Sequence, residues 1–149
     1  GRRRGSIRPA GEIEHRRREV KRDMDLVRKF LIVVEDAKEP LRFGDFRDSP
    51  GAKGFSEDEI LYHLRLMQAH ALIDAVIEES DDGACVACLV YGLTWDGQDF
   101  LDALRDDSVW EKTKRAVRES VGSTTFEVVK CVAVEASKRM ALGALAGMF

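Results

Sequence analysis

Chemistry in this chain is concentrated in one run, SEDEILYHLRLMQAHALI, from Ser56 to Ile73. Read as a helix, it puts Ile60, Leu61, Leu64 and Met67 on one apolar face and leaves Tyr62, His63, Arg65 and Gln68 on the others. Phenol, imidazole, guanidinium and carboxamide groups can donate to base edges, and a cation such as Lys53 just upstream can meet phosphate. The spacing predicts a helix that reads DNA, with Tyr62, Arg65 and Gln68 as readers and His63 and Lys53 as further contacts. The surrounding charge points the other way. Glu57, Asp58 and Glu59 suit the helix dipole but repel phosphate, and the turn Asp81-Asp82-Gly83, preceded by Glu78 and Glu79, is acidic too. A surface of that sign fits a basic protein partner, so a protein–protein interaction module is the alternative.

Other constellations are weaker. Cys85 and Cys88 have a C-x-x-C spacing, but a regular strand puts i and i+3 on opposite faces and no second such pair exists. They read as structural cysteines. His63 and His70 share a helix face but stand two turns apart. Serine, histidine and carboxylate groupings can be drawn, yet none has a nucleophile elbow or a phosphate-binding glycine loop around it. Trp95 and Trp110 fall on the inward side of helical patterns and are expected in the core. The expectation is a non-enzyme, and no cofactor, metal or small-molecule ligand is indicated.

The elements that would position these residues can be followed along the chain. Asp23 can cap a helix carrying Met24, Val27, Phe30, Leu31 and Val34, running to about Lys38. Leu41–Arg47 alternates as a short strand, and Ser49–Gly54 has the Pro and Gly of a loop. Ser56 and Glu59 form a capping box. Leu72–Glu78 and Ala84–Leu93 read as a hairpin about the Asp81-Asp82-Gly83 turn. Thr94 is placed to cap a helix with Trp95, Phe100, Leu101 and Leu104 inward. Further boxes at Ser108/Glu111 and Thr124/Glu127 open two more helices, the first ending at Gly122. The second carries Phe126, Val129, Val132, Ala133, Ala136 and Met140 on one side. That stripe either covers the domain's own core or forms a homodimer through Phe126, Val129, Val132 and Met140. The uncharged tail, Ala141–Phe149, fits a fraying end or a packed edge.

At 149 residues, 44% hydrophobic and 34% charged, the chain suits one soluble domain. Its apolar runs are too short for a membrane, and its three cysteines suit a reducing cytoplasm. The net charge of −3 conceals an asymmetry. Residues 1–20 hold seven arginines against three glutamates, while the remainder holds 17 basic and 24 acidic groups. The basic segment reads either as a phosphate-seeking tail or as a disordered, solvated extension. Residues 21–121 are expected to form the main domain and 122–149 a C-terminal helix and tail.

The run from Ser56 to Ile73 resembles the recognition helix of small bacterial winged-helix regulators, with Ala71 where those proteins favour glycine. A broader resemblance joins VKRDMDLVRKFL (Val20–Leu31), ILYHLRLM (Ile60–Met67), LTWDGQDFLDALRDDSVWEKTK (Leu93–Lys114) and STTFEVVK (Ser123–Lys130). In that order these segments look like successive signatures of the domain of unknown function 2513 family. The resemblance implies a cytoplasmic, often prophage-borne protein and carries no activity with it. Members usually start with Met at the position of Val20, which suggests that residues 1–19 are an upstream extension. The expected fold is α+β: a winged helix (helix, short strand, helix, two-stranded wing) with additional C-terminal helices and no normal middle helix between Lys38 and Phe55. The expected function is a DNA-binding or transcription-regulatory protein of bacterial or prophage type; the alternative is a protein-interaction module or phage adaptor using the acidic helix and wing.

Overall fold

Asp23 opens the first helix, α1 (Met24–Asp36), its carboxylate accepting from the N–H groups of Asp25 and Leu26 at 2.9 and 3.2 Å. The computed structural model describes residues 21–121 and 126–147; the basic extension, residues 1–20, and the cap expected at Thr124 lie outside them. Helix α1 buries the stripe that its spacing predicts, from Met24 through Phe30 and Leu31 to Val34.

The expected strand Leu41–Arg47 is only two residues long. β1 is Leu41–Arg42, and the chain then coils into a short helix, α2 (Phe43–Arg47). The middle helix, expected to be missing or degenerate, is therefore present in a short form of five residues. Burial decides it: Phe46 is fully buried and stacks edge-to-face on Phe30, with centroids 5.1 Å apart. A single 3-10 turn, Pro50–Ala52, leads to α3 (Glu57–Ala69), whose capping box forms as expected.

β2 (Ile73–Glu79) and β3 (Cys85–Leu93) form an antiparallel hairpin, and the sheet order is β1-β3-β2. The register slips twice. Asp74 pairs with Gly92 but Ala75 with Val90, leaving out Tyr91; Glu78 pairs with Ala87 but Glu79 with Cys85, leaving out Val86. Both omitted residues are exposed, as expected for bulges.

Three helices follow: α4 (Trp95–Leu104), α5 (Asp107–Val121) and α6 (Phe126–Ala146). Thr94 caps α4 by accepting from the Gly97 N–H at 2.9 Å. The inward stripe is Gly97, Phe100, Leu101 and Leu104, so Trp95, on the opposite side of the helix, is 83% exposed rather than in the core. Trp110 is buried as expected. Helix α5 starts one residue before Ser108. Its cap is Asp106, whose carboxylate accepts from the Val109 N–H at 3.0 Å, and not the Ser108/Glu111 box. Val129 and Ala133 of α6 join the common core.

Two arginines fasten the helices. Arg28 donates to the carbonyls of Leu104 and Arg105, each at 2.8 Å, and to Asp107 at 2.7 Å, joining the end of α4 to α1. Arg105 grips Glu35 with both guanidinium nitrogens at 2.7 and 2.6 Å, and Gln98 donates to the same carboxylate at 2.7 Å. Bonds from Arg105 first, and then from Gln98, hold the Glu35 carboxyl down to about 2. A depressed carboxyl adds stability above its unfolded range and loses it as pH falls through the folded value. Glu35→Gln should therefore flatten the decline in stability between about pH 4.5 and 2, at a neutral-pH cost below about 1 kcal/mol because the pair is partly exposed. Urea unfolding at pH 7 and pH 3 checks this; identical pH dependence in both proteins would show that the grip does not form.

Candidate docking face

Helix α3 and the hairpin form the face on which the sequence places its contacts. The helix ends in a Schellman motif: Leu72 N–H bonds the Met67 carbonyl at 2.8 Å and Ala71 N–H the Gln68 carbonyl at 2.9 Å. The left-handed residue that this requires is Ala71 itself, at φ 58°. Alanine tolerates the conformation at a cost. The Ala71 carbonyl accepts from the Thr94 hydroxyl, and Thr94 N–H reaches the Leu72 carbonyl at 3.1 Å, so the helix end, β2 and the start of α4 meet here. Ala71→Gly should raise stability by about 0.5–1 kcal/mol, the left-handed strain less the extra unfolded-state entropy of glycine. A lower melting temperature in that variant would contradict the assigned turn.

The structure treats the five nominated contacts differently. His63, expected to face a ligand, is fully buried. Its Nδ1–H donates to the Glu59 carbonyl at 2.7 Å, and its Nε2 accepts from the Asp23 N–H at 2.8 Å, locking one tautomer. The ring is a strut between α1 and α3, because the apolar stripe of α3 is wider than its leucines alone and takes His63 inside. Tyr62 is half-buried and stands edge-on to His63, with centroids 5.4 Å apart. Arg65 forms an ion pair with Glu79 across to β2. Gln68 turns its Nε2 to the Ala75 carbonyl at 2.7 Å. Lys53 is exposed beside the 3-10 turn.

What remains open on this face is mostly negative. Glu57, Asp58, Glu78, Asp81 and Asp82 are exposed. Asp82 accepts from the Ser80 hydroxyl and from the Ala84 N–H at 3.1 Å, and these bonds lower its carboxyl below the ordinary range. Arg47 is drawn to Asp48 and Glu57 at 3.1 and 3.5 Å. The pairing partners of Arg65 and Gln68 carry no local sequence signal, since each forms only when β2 folds back along α3.

The cysteine geometry also departs from expectation. The bulge at Val86 makes Cys85 and Cys88 oppose Glu79 and Ile77, two residues apart on one strand, so both thiols share a face. Burial, and then the neighbouring Cys85, push the Cys88 thiol up to about 11, which makes it a weak nucleophile and ligand at neutral pH. Among the described residues, no group of three or more His, Cys, Asp or Glu side chains is placed to hold a metal. No helix there is long and apolar enough to cross a membrane.

The homodimer stripe divides in the same way. Val129 is buried in the protein's own core, Val132 is half-buried, and Met140 is exposed along with Leu142 and Leu145; of Phe126 only the backbone is described.

No solved structure matches the chain at a significant level. A Haemophilus influenzae protein named "Uncharacterized protein" is 32% identical over 115 residues, covering 76% of this chain and 92% of that one. The family described as "Hypothetical protein (DUF2513)" matches residues 21–124, from the cap of α1 through the hairpin to the end of α5. The chain belongs to the DUF2513 family.

Proposed function

We propose that this is a non-catalytic cytoplasmic binding protein of winged-helix layout, whose α3–hairpin face docks a basic surface on another protein. The layout is supported by the order α1-β1-α2-α3-β2-β3 and the sheet order β1-β3-β2. The observation that carries the docking reading is the sign of the face. Its exposed carboxylates are Glu57, Asp58, Glu78, Asp81 and Asp82; of its exposed cations, Lys53 and Arg65, the latter is paired with Glu79, and Gln68 is held by the Ala75 carbonyl. Counterion release needs cations against phosphate, and this face presents carboxylates. Complementary charge steers a basic partner and suppresses acidic ones. A second copy of the chain would meet Met140, Leu142 and Leu145, since Val129 is already buried.

DNA binding and transcription regulation form the second reading, favoured by the helix and strand order. Tyr62 and Lys53 are then the side chains left to make contact. Fluorescence anisotropy of duplex DNA over a salt series separates the two. The full chain and its Tyr62→Ala/Lys53→Ala variant should give the same curves, and Glu57→Lys/Asp58→Lys should abolish capture of a basic partner. A loss of about 1–3 kcal/mol in DNA affinity on removing Tyr62 and Lys53, the worth of a good base contact, would instead establish the DNA reading.

A further inference from the structure

A cavity of about 440 Å³ lies where the starts of α1 and α3 meet α5 and α6, and no role is yet assigned to it. Its floor is apolar, with Phe55, Trp110, Val117 and Val129, and its rim carries Lys21, Arg22, Lys114 and Arg118. Three carboxylates also line it, and each already has a partner. Asp23 caps α1; Asp25 accepts from the Trp110 indole N–H at 2.7 Å and from Lys114 at 3.0 Å; Glu59 accepts from the Ser56 N–H at 2.9 Å. Lys21 and Arg118 are exposed, and among the described residues neither pairs with a carboxylate. An apolar floor under two unmatched cations selects a ligand that is apolar at one end and anionic at the other.

We propose that this cavity binds a small amphipathic anion, a carboxylate or phosphate on an apolar body, with Lys21 and Arg118 holding the charged end. The volume lies within the range of small-molecule sites, about 300–1,000 Å³. The wall is held in shape before any ligand arrives: Lys114 lies 5.4 Å from the Trp110 ring centre, and the Trp110 indole is fixed by Asp25. The chain's own residues 1–20 join at Lys21 with seven arginines against three glutamates, the wrong sign for this rim.

Trp110 reports on the site once the exposed Trp95 is replaced, because the chain has two tryptophans. In full-length Trp95→Phe protein, octanoate should change Trp110 fluorescence saturably and raise the melting temperature. Octanamide, of nearly the same shape without the charge, should bind at least about tenfold more weakly, the worth of a charge-assisted hydrogen bond. Adding Lys21→Ala and Arg118→Ala should weaken octanoate by a similar factor. Equal affinity for octanoate and octanamide, or no saturable change up to the solubility limit, overturns the proposal. Inorganic phosphate binding as tightly as octanoate overturns the apolar half of it. Should the doubly substituted chain fail to fold, the octanoate–octanamide comparison still decides.

Discussion

Gly97→Ala should lower the melting temperature by about 10 °C, the equivalent of roughly 3 kcal/mol, the upper end of what overpacking a core costs. A Cβ on residue 97 would sit 1.9 Å from the Leu72 carbonyl oxygen and 2.8 Å from its carbon. Both are backbone atoms, so no rotamer change relieves the contact. Leu72 cannot withdraw, because its carbonyl accepts from Thr94 and its N–H closes the Schellman motif on Met67. Helix α4 must lift off the end of β2 or the turn after α3 must open, and either disturbs the packing of Phe100 and Leu101, both fully buried. Gly92→Ala is the control. Its added methyl meets nothing within 4 Å, and its effect should stay within about 0.5 kcal/mol. Thermal unfolding followed by circular dichroism measures both, and a Gly97→Ala protein melting near the wild type would remove the close approach of α4 to Leu72.

His63→Ala should cost about 2–4 kcal/mol and leave binding at the α3–hairpin face by the folded protein unchanged. Two losses add. The ring leaves a cavity among fully buried neighbours such as Ile60 and Leu64, comparable to truncating a large core side chain. The part-buried Asp23 N–H also loses the acceptor that it reaches at 2.8 Å, at a cost near the lower end of the about 1–3 kcal/mol for an unsatisfied buried donor. Because Asp23 caps α1 and borders the cavity, the damage should spread to the start of that helix. Chemical denaturation gives the stability and anisotropy the binding. A stable His63→Ala protein with altered affinity for DNA or a basic partner would return His63 to the surface role that its sequence position suggests.

Much of the fold was legible because local chemistry and tertiary packing agree. Asp23, Ser56 with Glu59, and Thr94 each cap the helix that they were expected to cap, and α1 shows its period without interruption. Legibility failed where one residue's burial outweighed pattern. Alternation in LRFGDFR suggested a strand, yet Phe46 gains more against Phe30 than the chain gains from extending β1. Grouping Trp95 with Phe100, Leu101 and Leu104 in one helical pattern puts it inward, while the stripe that meets the sheet is set by Gly97 against Leu72. The site was harder still. Tyr62, His63, Arg65 and Gln68 were read from a helical wheel on which every residue off the leucine stripe faces solvent. Three of them instead have partners remote in sequence: Asp23 for His63, Glu79 for Arg65 and Ala75 for Gln68. The cavity rim was invisible for the same reason, since Lys21 and Arg118 lie at opposite ends of the described main body.

The bond from Gln68 to Ala75 bears on more than the choice of binding partner. β2 is an outer strand, and outer strands invite another chain to add itself to the sheet. The Gln68 carboxamide occupies a main-chain acceptor in the first half of that strand. Beyond it, two copies of β2 laid antiparallel about Val76 would set Asp74 of each against Glu78 of the other. Helix α3 and the acidic residues of β2 thus work as a guard rail, which leaves the charged hairpin exposed without recruiting copies of the chain into a growing sheet.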